Sequence, residues 1–204
     1  MNRQLNTNDS LNCQPDSNAV ELPWTFKSDF LTPEAADQWL QSSQEVDWQQ
    51  NRIKMFGKEI AVPRLEAVIG DGTYSYSGVA LETAPWSESF RLLKELVEKE
   101  SGYQYQIVMG NQYRDGNDHV GWHSDDEKSM GAQPAIASLS LGAIRKFQLR
   151  HKATKEIYTF HLAHGSLLVM HPGCQEDWQH RICKEPKIQG LRVNWTFRPL
   201  VSAK

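Results

Sequence analysis

The chain has 204 residues, 39% of them apolar, with seven Trp, seven Phe and six Tyr, which is enough for one large globular domain. No apolar run reaches the roughly 18 residues of a membrane helix, and the first residues lack the basic and apolar segments of a secretory signal. The three cysteines (Cys13, Cys174 and Cys183) are too few and too irregular for a disulfide framework or a Cys-based zinc site. We therefore expect a cytoplasmic protein, or a nuclear one in a eukaryote, with no membrane partner.

The net charge of −3 is unevenly distributed along the chain. Residues 1–140 carry 11 Lys and Arg against 21 Asp and Glu, a net −10, whereas residues 141–204 carry 11 against 4, a net +7. The basic C-terminal third can form a surface that attracts phosphates, or it can be an ordinary solvated surface.

The N-terminal part combines a polar tail, a helix and a hairpin. Residues 1–20 are rich in Asn, Gln, Ser and Asp, which predicts a disordered tail. Thr32-Pro33-Glu34 is typical of a helix start, and this helix is predicted to end near Ser43. Two alternating runs within residues 52–63 flank Phe56-Gly57-Lys58 and predict a β-hairpin. A Phe at the hairpin tip either folds back onto the core or has a function.

The rest of the chain reads as one helix followed by strands. Tyr74-Ser75-Tyr76 predicts a strand with both rings on one face, and residues 86–100 predict a helix. Short strand-like runs separated by turns then indicate an antiparallel sandwich or barrel. These runs are residues 105–113, 135–141, 146–150, 156–162, 166–170 and 191–199.

His123 and Asp125 are the first candidates for chemistry. On an extended backbone, side chains two residues apart leave the same face. One imidazole and one carboxylate aimed at one point are two of the three ligands of the 2-His-1-carboxylate triad of non-haem Fe(II) oxygenases. Taken alone, the pattern is weak, because a solvated polar loop can also contain His-x-Asp.

The segment from Arg192 to Arg198 alternates strictly between apolar and polar side chains. Its polar face carries Arg192, Asn194, Thr196 and Arg198. On an outer sheet face these arginines would be solvated, whereas inside a barrel they would need anionic partners, such as a dicarboxylate co-substrate. Asn111-x-Tyr113 offers another pair of polar groups on one strand face.

These motifs together resemble the AlkB family of Fe(II)/2-oxoglutarate dioxygenases, and in particular its animal members that repair duplex DNA. The resemblance covers roughly residues 45–200. The motifs that carry it are Val62-Pro63-Arg64, Tyr74-Ser75-Tyr76-Ser77-Gly78, Asn111-x-Tyr113, Asp115-Gly116, Gly121-x-His123-x-Asp125-Asp126-Glu127, Arg150-His151-Lys152, Ala163-His164-Gly165-Ser166-Leu167, Trp178-x-His180 and Arg192-x-Asn194-x-Thr196-Phe197-Arg198.

The resemblance implies an α+β, mainly β fold, with a double-stranded β-helix (jelly-roll) core, N-terminal helices and a β-hairpin nucleotide-recognition region. Residues 21–204 would form a single dioxygenase domain after the tail of residues 1–20. Within this domain, residues 45–100 would form the nucleotide-recognition region with its supporting helix, and residues 104–200 the catalytic core. We also expect a monomer.

The implied activity is oxidative demethylation of N-alkylated bases, such as 1-methyladenine and 3-methylcytosine, in DNA. The implied cofactors are Fe(II), 2-oxoglutarate and O₂. In such enzymes these give succinate, carbon dioxide and a ferryl species that hydroxylates the N-methyl group, and the product collapses to formaldehyde and the repaired base. The same chemistry on RNA is an alternative. A non-catalytic nucleic-acid-binding module and a protein hydroxylase are more distant ones.

The resemblance also implies roles for individual residues. His123, Asp125 and His180 would bind iron, although the sequence alone leaves His171 as a rival to His180. Either Arg192 or Arg198 would hold the distal carboxylate of 2-oxoglutarate. The whole predicted co-substrate set is Asn111, Tyr113, Arg192, Asn194, Thr196 and Arg198.

Base recognition would require the damaged base to leave the stack. Tyr76 and His123 would lie on its two sides and Tyr74 at its edge, unless both tyrosines are ordinary strand aromatics. Asp126 or Glu127 would meet the cationic methylated base. Arg64 is a further pocket or phosphate candidate, and Phe56 with Gly57 would wedge into the duplex. One departure concerns residues 150–155, which are shorter and less basic than the loop that binds the complementary strand in the resembled members.

Overall fold

The computed structural model describes residues 2–4, 22–55, 57–71, 74–76 and 79–201, with side chains over 22–53, 57–71 and 82–201. Within these ranges, no helix has the length and apolar character that crossing a membrane requires.

The described residues up to Ser101 form short strands and two helices. They are β1 (Asn2–Gln4), β2 (Trp24–Lys27), α1 (Pro33–Ser42), β3 (Arg52–Met55), β4 (Lys58–Ala61), β5 (Leu65–Gly70), β6 (Tyr74–Tyr76), β7 (Val79–Leu81), β8 (Thr83–Ala84) and α2 (Glu88–Ser101).

The second half consists of strands with one short helix. Its elements are β9 (Ile107–Tyr113), β10 (Val120–His123), β11 (Ile136–Gly142), β12 (Arg145–His151), β13 (Ile157–Leu162), β14 (Ser166–Met170), α3 (Cys174–Asp177), β15 (Trp178–Ile182) and β16 (Arg192–Arg198). Two 3-10 turns, Ser43–Glu45 and Lys128–Met130, complete the described secondary structure.

Both longer helices begin at capping residues. Thr32 Oγ1 accepts a hydrogen bond from the Ala35 amide, and Pro33 occupies the first turn of α1, which confirms the predicted start. The second helix begins two residues later than predicted, because the Ser87 hydroxyl caps it by accepting from the Phe90 amide. Both helices lie on the same apolar cluster.

The strands form two antiparallel-dominated sheets, in agreement with the predicted jelly-roll. The major sheet has the order β2-β14-β11-β16-β9-β5-β8, and the minor sheet has the order β1-β13-β12-β15-β10. Strands β2, β5 and β8 precede residue 104, so the major sheet extends beyond the segment predicted as the catalytic core. Strand β1, which belongs to the segment predicted as a disordered tail, pairs in parallel with β13.

Strand β16 lies near the middle of the major sheet, and both of its faces are buried. One face carries Val193, Trp195 and Phe197, which pack with α1 and α2 in one apolar cluster. The other face points between the two sheets. Gly110 on β9 makes room for the Trp195 ring, since a Cβ atom there would approach it to 2.4 Å. The predicted alternation is thus observed, and the polar residues lie inside.

Two hairpins extend from this core. Strands β3 and β4 pair in antiparallel fashion, with Met55 opposite Lys58. Gly57 has a φ of +76°, a left-handed conformation that favours glycine. Phe56 lies outside the described residues. Strands β6 and β7 form the second hairpin, and the side chains of Tyr74 and Tyr76 lie outside the described ones.

Candidate metal and co-substrate site

Three predicted metal ligands converge between the two sheets. His123 ends β10 and faces His180 on β15 across the strand pair, with the two ring centroids 4.2 Å apart. Asp125 lies two residues beyond the end of β10, so the backbone is not a regular strand there. Its Oδ1 lies 3.6 Å from His123 Nε2, and its Oδ2 lies 3.8 Å from His180 Nε2. One ligand atom from each residue falls within 4.8 Å of the others.

The Nε2 atoms of both imidazoles face this point. His123 Nδ1 lies 2.9 Å from the Gly121 carbonyl oxygen, which can only accept a hydrogen bond. Nδ1 therefore carries the proton, and Nε2 is left as the acceptor. Burial lowers the pKa of His180 to about 3, with His123 and Arg198 acting in the same direction, so this ring is neutral at physiological pH.

The carboxylate of Asp125 is ionised although it is buried. Burial alone would raise its pKa, but Arg198, His180, His123 and Arg64 together lower it. Arg198 donates to Oδ2 at 3.0 Å, whereas Oδ1 has no hydrogen-bond partner among the described residues. A buried carboxylate oxygen that accepts no hydrogen bond is suited to a cation.

The donor set fits a divalent first-row metal. Two imidazoles and one carboxylate form the 2-His-1-carboxylate combination, which leaves coordination positions for other ligands. Phe147 stacks on the His180 ring at 5.5 Å and holds it from the apolar side.

All six predicted co-substrate residues line the same cavity as the three ligands. Arg192 is 1% exposed and donates from Nη2 to Ser140 Oγ at 3.0 Å. Its Nε and Nη1 have no hydrogen-bond partner in the described part of the chain, and its Cζ lies 5.1 Å from the Tyr113 ring centroid. Burial lowers the pKa of Arg192 to about 10, so it is still protonated near neutral pH. This cavity wall therefore carries the buried positive charge of Arg192, which faces the Ser140 hydroxyl and the Tyr113 ring.

The remaining cavity polar groups bond to the chain itself. The amide of Asn194 donates to Ser138 Oγ and to the Leu139 carbonyl, and Thr196 Oγ1 donates to Asn194 Oδ1. These bonds fix Asn194 and Thr196 on the cavity face. Ser138 and Ser140 come from the neighbouring strand β11.

Arg64 also lines the cavity, at 5% exposure. Its Nε donates to Asn111 Oδ1 at 2.8 Å, and its Nη2 pairs with Glu66. Glu66 in turn accepts from Asn51 Nδ2, next to the β3–β4 hairpin. The burial of Arg64 places it in the pocket and not on the surface, where a backbone phosphate would lie. Sequence reasoning did not identify Glu66.

Gln175 is a second residue that sequence reasoning missed. It is 2% exposed on α3, and its Oε1 accepts from the backbone amide of Asp125 at 2.9 Å. Ser124 Oγ donates to the Trp178 carbonyl at 2.9 Å. The segment that carries Asp125 is thus fastened to the segment before His180 by two hydrogen bonds.

The other histidines bond elsewhere and do not join the three-residue cluster found among the described residues. His171, the predicted rival, lies beside the Tyr103 hydroxyl at 3.1 Å. His119 bonds to the Asn117 carbonyl, and His164 accepts from the Gly142 amide. His151 accepts from the Thr154 amide, and His161 is exposed.

The two predicted acids at the rim differ in burial. Asp126 is exposed, whereas Glu127 is half-buried and its Oε2 has no hydrogen-bond partner in the described ranges. Burial raises the pKa of Glu127, which Asp125 reinforces and Arg198 opposes.

Comparison with known proteins identifies the family to which the chain belongs. A sequence model of the 2OG-Fe(II) oxygenase superfamily matches residues 24–198. The chain is 37% identical to the DNA oxidative demethylase ALKBH2 of Mus musculus, over 75% of this chain and 68% of that protein. It is 40% identical to the alpha-ketoglutarate-dependent dioxygenase alkB homolog 3 of Homo sapiens, over 83% of this chain and 63% of that protein. The chain thus spans about two thirds of the length of these relatives.

Solved structures agree on the fold. The structure of OsALKBH1 superposes with a TM-score of 0.62 at 16% identity, covering 88% of this chain and 99% of that one. A 2OG-Fe(II) oxygenase-family oxidoreductase from Burkholderia pseudomallei gives a TM-score of 0.58 at 12% identity, covering 88% and 87%. The match over residues 24–198 places the chain in the 2OG-Fe(II) oxygenase superfamily.

Proposed function

We propose that this chain is a dioxygenase that uses Fe(II), 2-oxoglutarate and O₂ to demethylate N-alkylated bases in DNA. The observation that carries the proposal is the pairing of two groups in one cavity: the His123, Asp125 and His180 cluster, and the Arg192 guanidinium with unused donors. Relatives named as DNA oxidative demethylases support DNA as the substrate.

In this proposal, His123 Nε2, His180 Nε2 and the Asp125 carboxylate bind the iron. The protonation states favour binding, because the His180 ring is neutral and the Asp125 carboxylate is ionised near neutral pH. When bound, iron and 2-oxoglutarate supply the oxidising chemistry that acts on the N-methyl group.

The two arginines of β16 have different tasks in this proposal. Arg198 donates to Asp125, so it orients a metal ligand and neutralises it when the site is desolvated. Arg192 has two unused nitrogens, and the distal carboxylate of 2-oxoglutarate would accept hydrogen bonds from this guanidinium. Tyr113 and Asn111 line the space between them and complete the co-substrate pocket.

The base contacts remain proposals. Tyr76 would stack on one side of the flipped base opposite His123, Tyr74 would lie at its edge, and Phe56 with Gly57 would wedge into a duplex. Of the two acids, Glu127 is the better base contact. It is half-buried near Arg198 and retains an unbonded oxygen, whereas Asp126 is exposed. The cytoplasmic or nuclear location and the monomeric state also remain predictions.

The decisive experiment is incubation with single- and double-stranded oligonucleotides that carry 1-methyladenine or 3-methylcytosine, with Fe(II) and 2-oxoglutarate. Formaldehyde and the restored base are measured, and a methylated RNA strand is the comparison. We expect both products on DNA. Absence of turnover on every strand would exclude the proposed function, and turnover on RNA alone would replace DNA as the substrate.

Two variants test the residue roles in the same assay. Asp125→Ala should lose turnover, because it removes one of three metal ligands, whereas Asp29→Ala removes an exposed carboxylate after β2 and should retain it. Phe56→Ala should lower turnover on duplex more than on single strands. Full activity of Asp125→Ala would remove this residue from the metal site, and equal losses on both substrates would argue against the wedge.

A further inference from the structure

The outer face of the minor sheet carries an unusual arrangement of two arginines and one tryptophan. The guanidinium carbons of Arg150 and Arg181 lie 4.2 and 4.4 Å from the Trp122 ring centroid. We call these three residues the Trp122 platform. Trp122 lies on β10, Arg181 on β15 and Arg150 on β12, so three adjacent strands contribute to it.

Neutral amides hold both guanidiniums in place. Arg150 Nη2 donates to Gln179 Oε1 at 2.9 Å, and Arg181 donates from Nε and Nη2 to Gln148 Oε1 at 2.9 and 2.7 Å. The two Arg–Gln pairs are cross-strand neighbours in the sheet register. Stacking and hydrogen bonding together fix the arginines before any ligand arrives, which reduces the entropy lost on binding.

The positive charge of the platform is not balanced nearby. Neither arginine has a carboxylate within ion-pair distance among the described side chains, although seven pairs of Lys or Arg with Asp or Glu occur elsewhere among them. Two guanidiniums side by side repel each other, and amides do not compensate their charge. The outward positions of β12, β13 and β15 also lack acidic residues; they are Lys146, Gln148, Arg150, Ile157, Thr159, His161, Gln179 and Arg181.

The platform lies beside the proposed active site. Trp122 directly precedes His123 in the chain, and the two side chains point to opposite faces of β10. Strand β10 is an edge strand of the minor sheet, and residues 124–127, which include Asp125, directly follow it in the chain. A strand whose base enters the cavity would continue over this edge.

We infer that the Trp122 platform binds the sugar-phosphate backbone of the nucleic acid whose base is treated in the cavity. This inference rests on the proposed function and names a surface for it. Arginines stacked on an aromatic ring retain donors for phosphate oxygens, and such contacts position a strand without reading its sequence. The contribution of the platform to nucleic-acid affinity should therefore be independent of base sequence and should decrease as the salt concentration rises.

The test is direct binding of a short unmethylated single-stranded oligonucleotide by the full chain, followed by fluorescence anisotropy between about 50 and 200 mM salt. The double variant Arg150→Gln, Arg181→Gln should weaken binding on the order of tenfold. The slope of log affinity against log salt should fall by about 1.4, or about 0.7 for each lost phosphate contact. Thermal unfolding of each variant confirms that it is folded.

A second variant pair tests the same charges without removing the stacked arginines. Gln148→Glu with Gln179→Glu places a carboxylate against each guanidinium and should weaken binding to a similar extent. Trp122→Phe retains an aromatic ring and should therefore weaken oligonucleotide binding less than Trp122→Leu does. The matched control is Arg91→Gln, an exposed arginine on α2, which covers the opposite side of the major sheet.

The outcomes separate this inference from the proposed function. If the platform variants bind like the wild type, or lose no more than Arg91→Gln, the platform is not a nucleic-acid surface, even if demethylation occurs. If the wild type does not bind the oligonucleotide at the lowest salt concentration, the inference is also wrong. If binding depends on the platform but no strand is demethylated, the surface stands and the proposed function fails.

Discussion

The two faces of strand β16 illustrate how one strand serves stability and chemistry at the same time. All seven of its residues are buried, yet Val193, Trp195 and Phe197 pack into an apolar cluster, while Arg192, Asn194, Thr196 and Arg198 line a polar cavity. On the first face, neighbouring side chains are complementary in shape. On the second, Arg198 is neutralised by Asp125, and Arg192 faces Ser140 and Tyr113.

This difference explains where an anionic co-substrate can contribute free energy. The side chains of an apolar face make all their favourable contacts when the protein folds. A buried guanidinium with unused donors has its charge and hydrogen bonds satisfied only when an anion binds. Changes on the apolar face should therefore alter folding, and changes on the cavity face should alter binding. The following substitutions test that division, beginning with the largest expected effect.

Trp195→Ala should reduce the free energy of unfolding by about 3–5 kcal/mol, as expected for a large buried aromatic. The ring is fully buried, lies 4.7 Å from Phe90 between centroids, and donates from Nε1 to Ser43 Oγ. Urea unfolding followed by circular dichroism measures the change. A loss below about 1 kcal/mol would contradict the structural role of this face.

Arg192→Gln should weaken 2-oxoglutarate binding by about 100-fold, the range expected when one partner of a buried charge pair is truncated. Its free energy of unfolding should be equal or higher, because the variant removes an uncompensated buried charge. Calorimetry with manganese(II) in place of iron gives the dissociation constant. Unchanged 2-oxoglutarate affinity would mean that another group holds the distal carboxylate.

Gln175→Ala tests whether the cavity also depends on support from outside β16. The variant removes the acceptor of the Asp125 amide, so manganese(II) affinity should fall by about tenfold, a typical effect of losing a group that orients a ligand. Gln175→Glu keeps an acceptor at this position and should recover most of the affinity. Equal affinities of Gln175→Ala and the wild type, measured by electron paramagnetic resonance, would show that Asp125 is positioned without it.

Thr196→Val should have the smallest effect. The substitution keeps the shape of the side chain and removes the hydrogen bond to Asn194 Oδ1, so 2-oxoglutarate affinity should fall by about fivefold, equivalent to about 1 kcal/mol. The matched substitution on the opposite face is Val193→Thr, which should affect unfolding and leave affinity unchanged. If the two variants exchanged these effects, the division between the faces would be wrong.

Local patterns in the sequence predicted much of the fold. Thr32 and Pro33 define the start of α1, and the alternation of Arg192 to Arg198 has one orientation that buries Trp195. The convergence of His180 with His123 was accessible only through the family motif, because it depends on the pairing of β10 with β15. Gln175 and Glu66 were missed, since a buried amide or acid gives no periodic signal and its partner lies distant in sequence.

The edge position of β10 has a kinetic consequence for the metal. His123 and Asp125 are on or just after a strand with one neighbour, whereas His180 lies on β15, which pairs with β10 and β12. Edge segments open at a fraction of the free energy of global unfolding. We therefore expect the amides of Val120–His123 to exchange with solvent deuterium before those of Trp178–Ile182. Two of the three proposed metal ligands therefore lie in or directly after the strand that we expect to open first, while the rest of the domain stays folded.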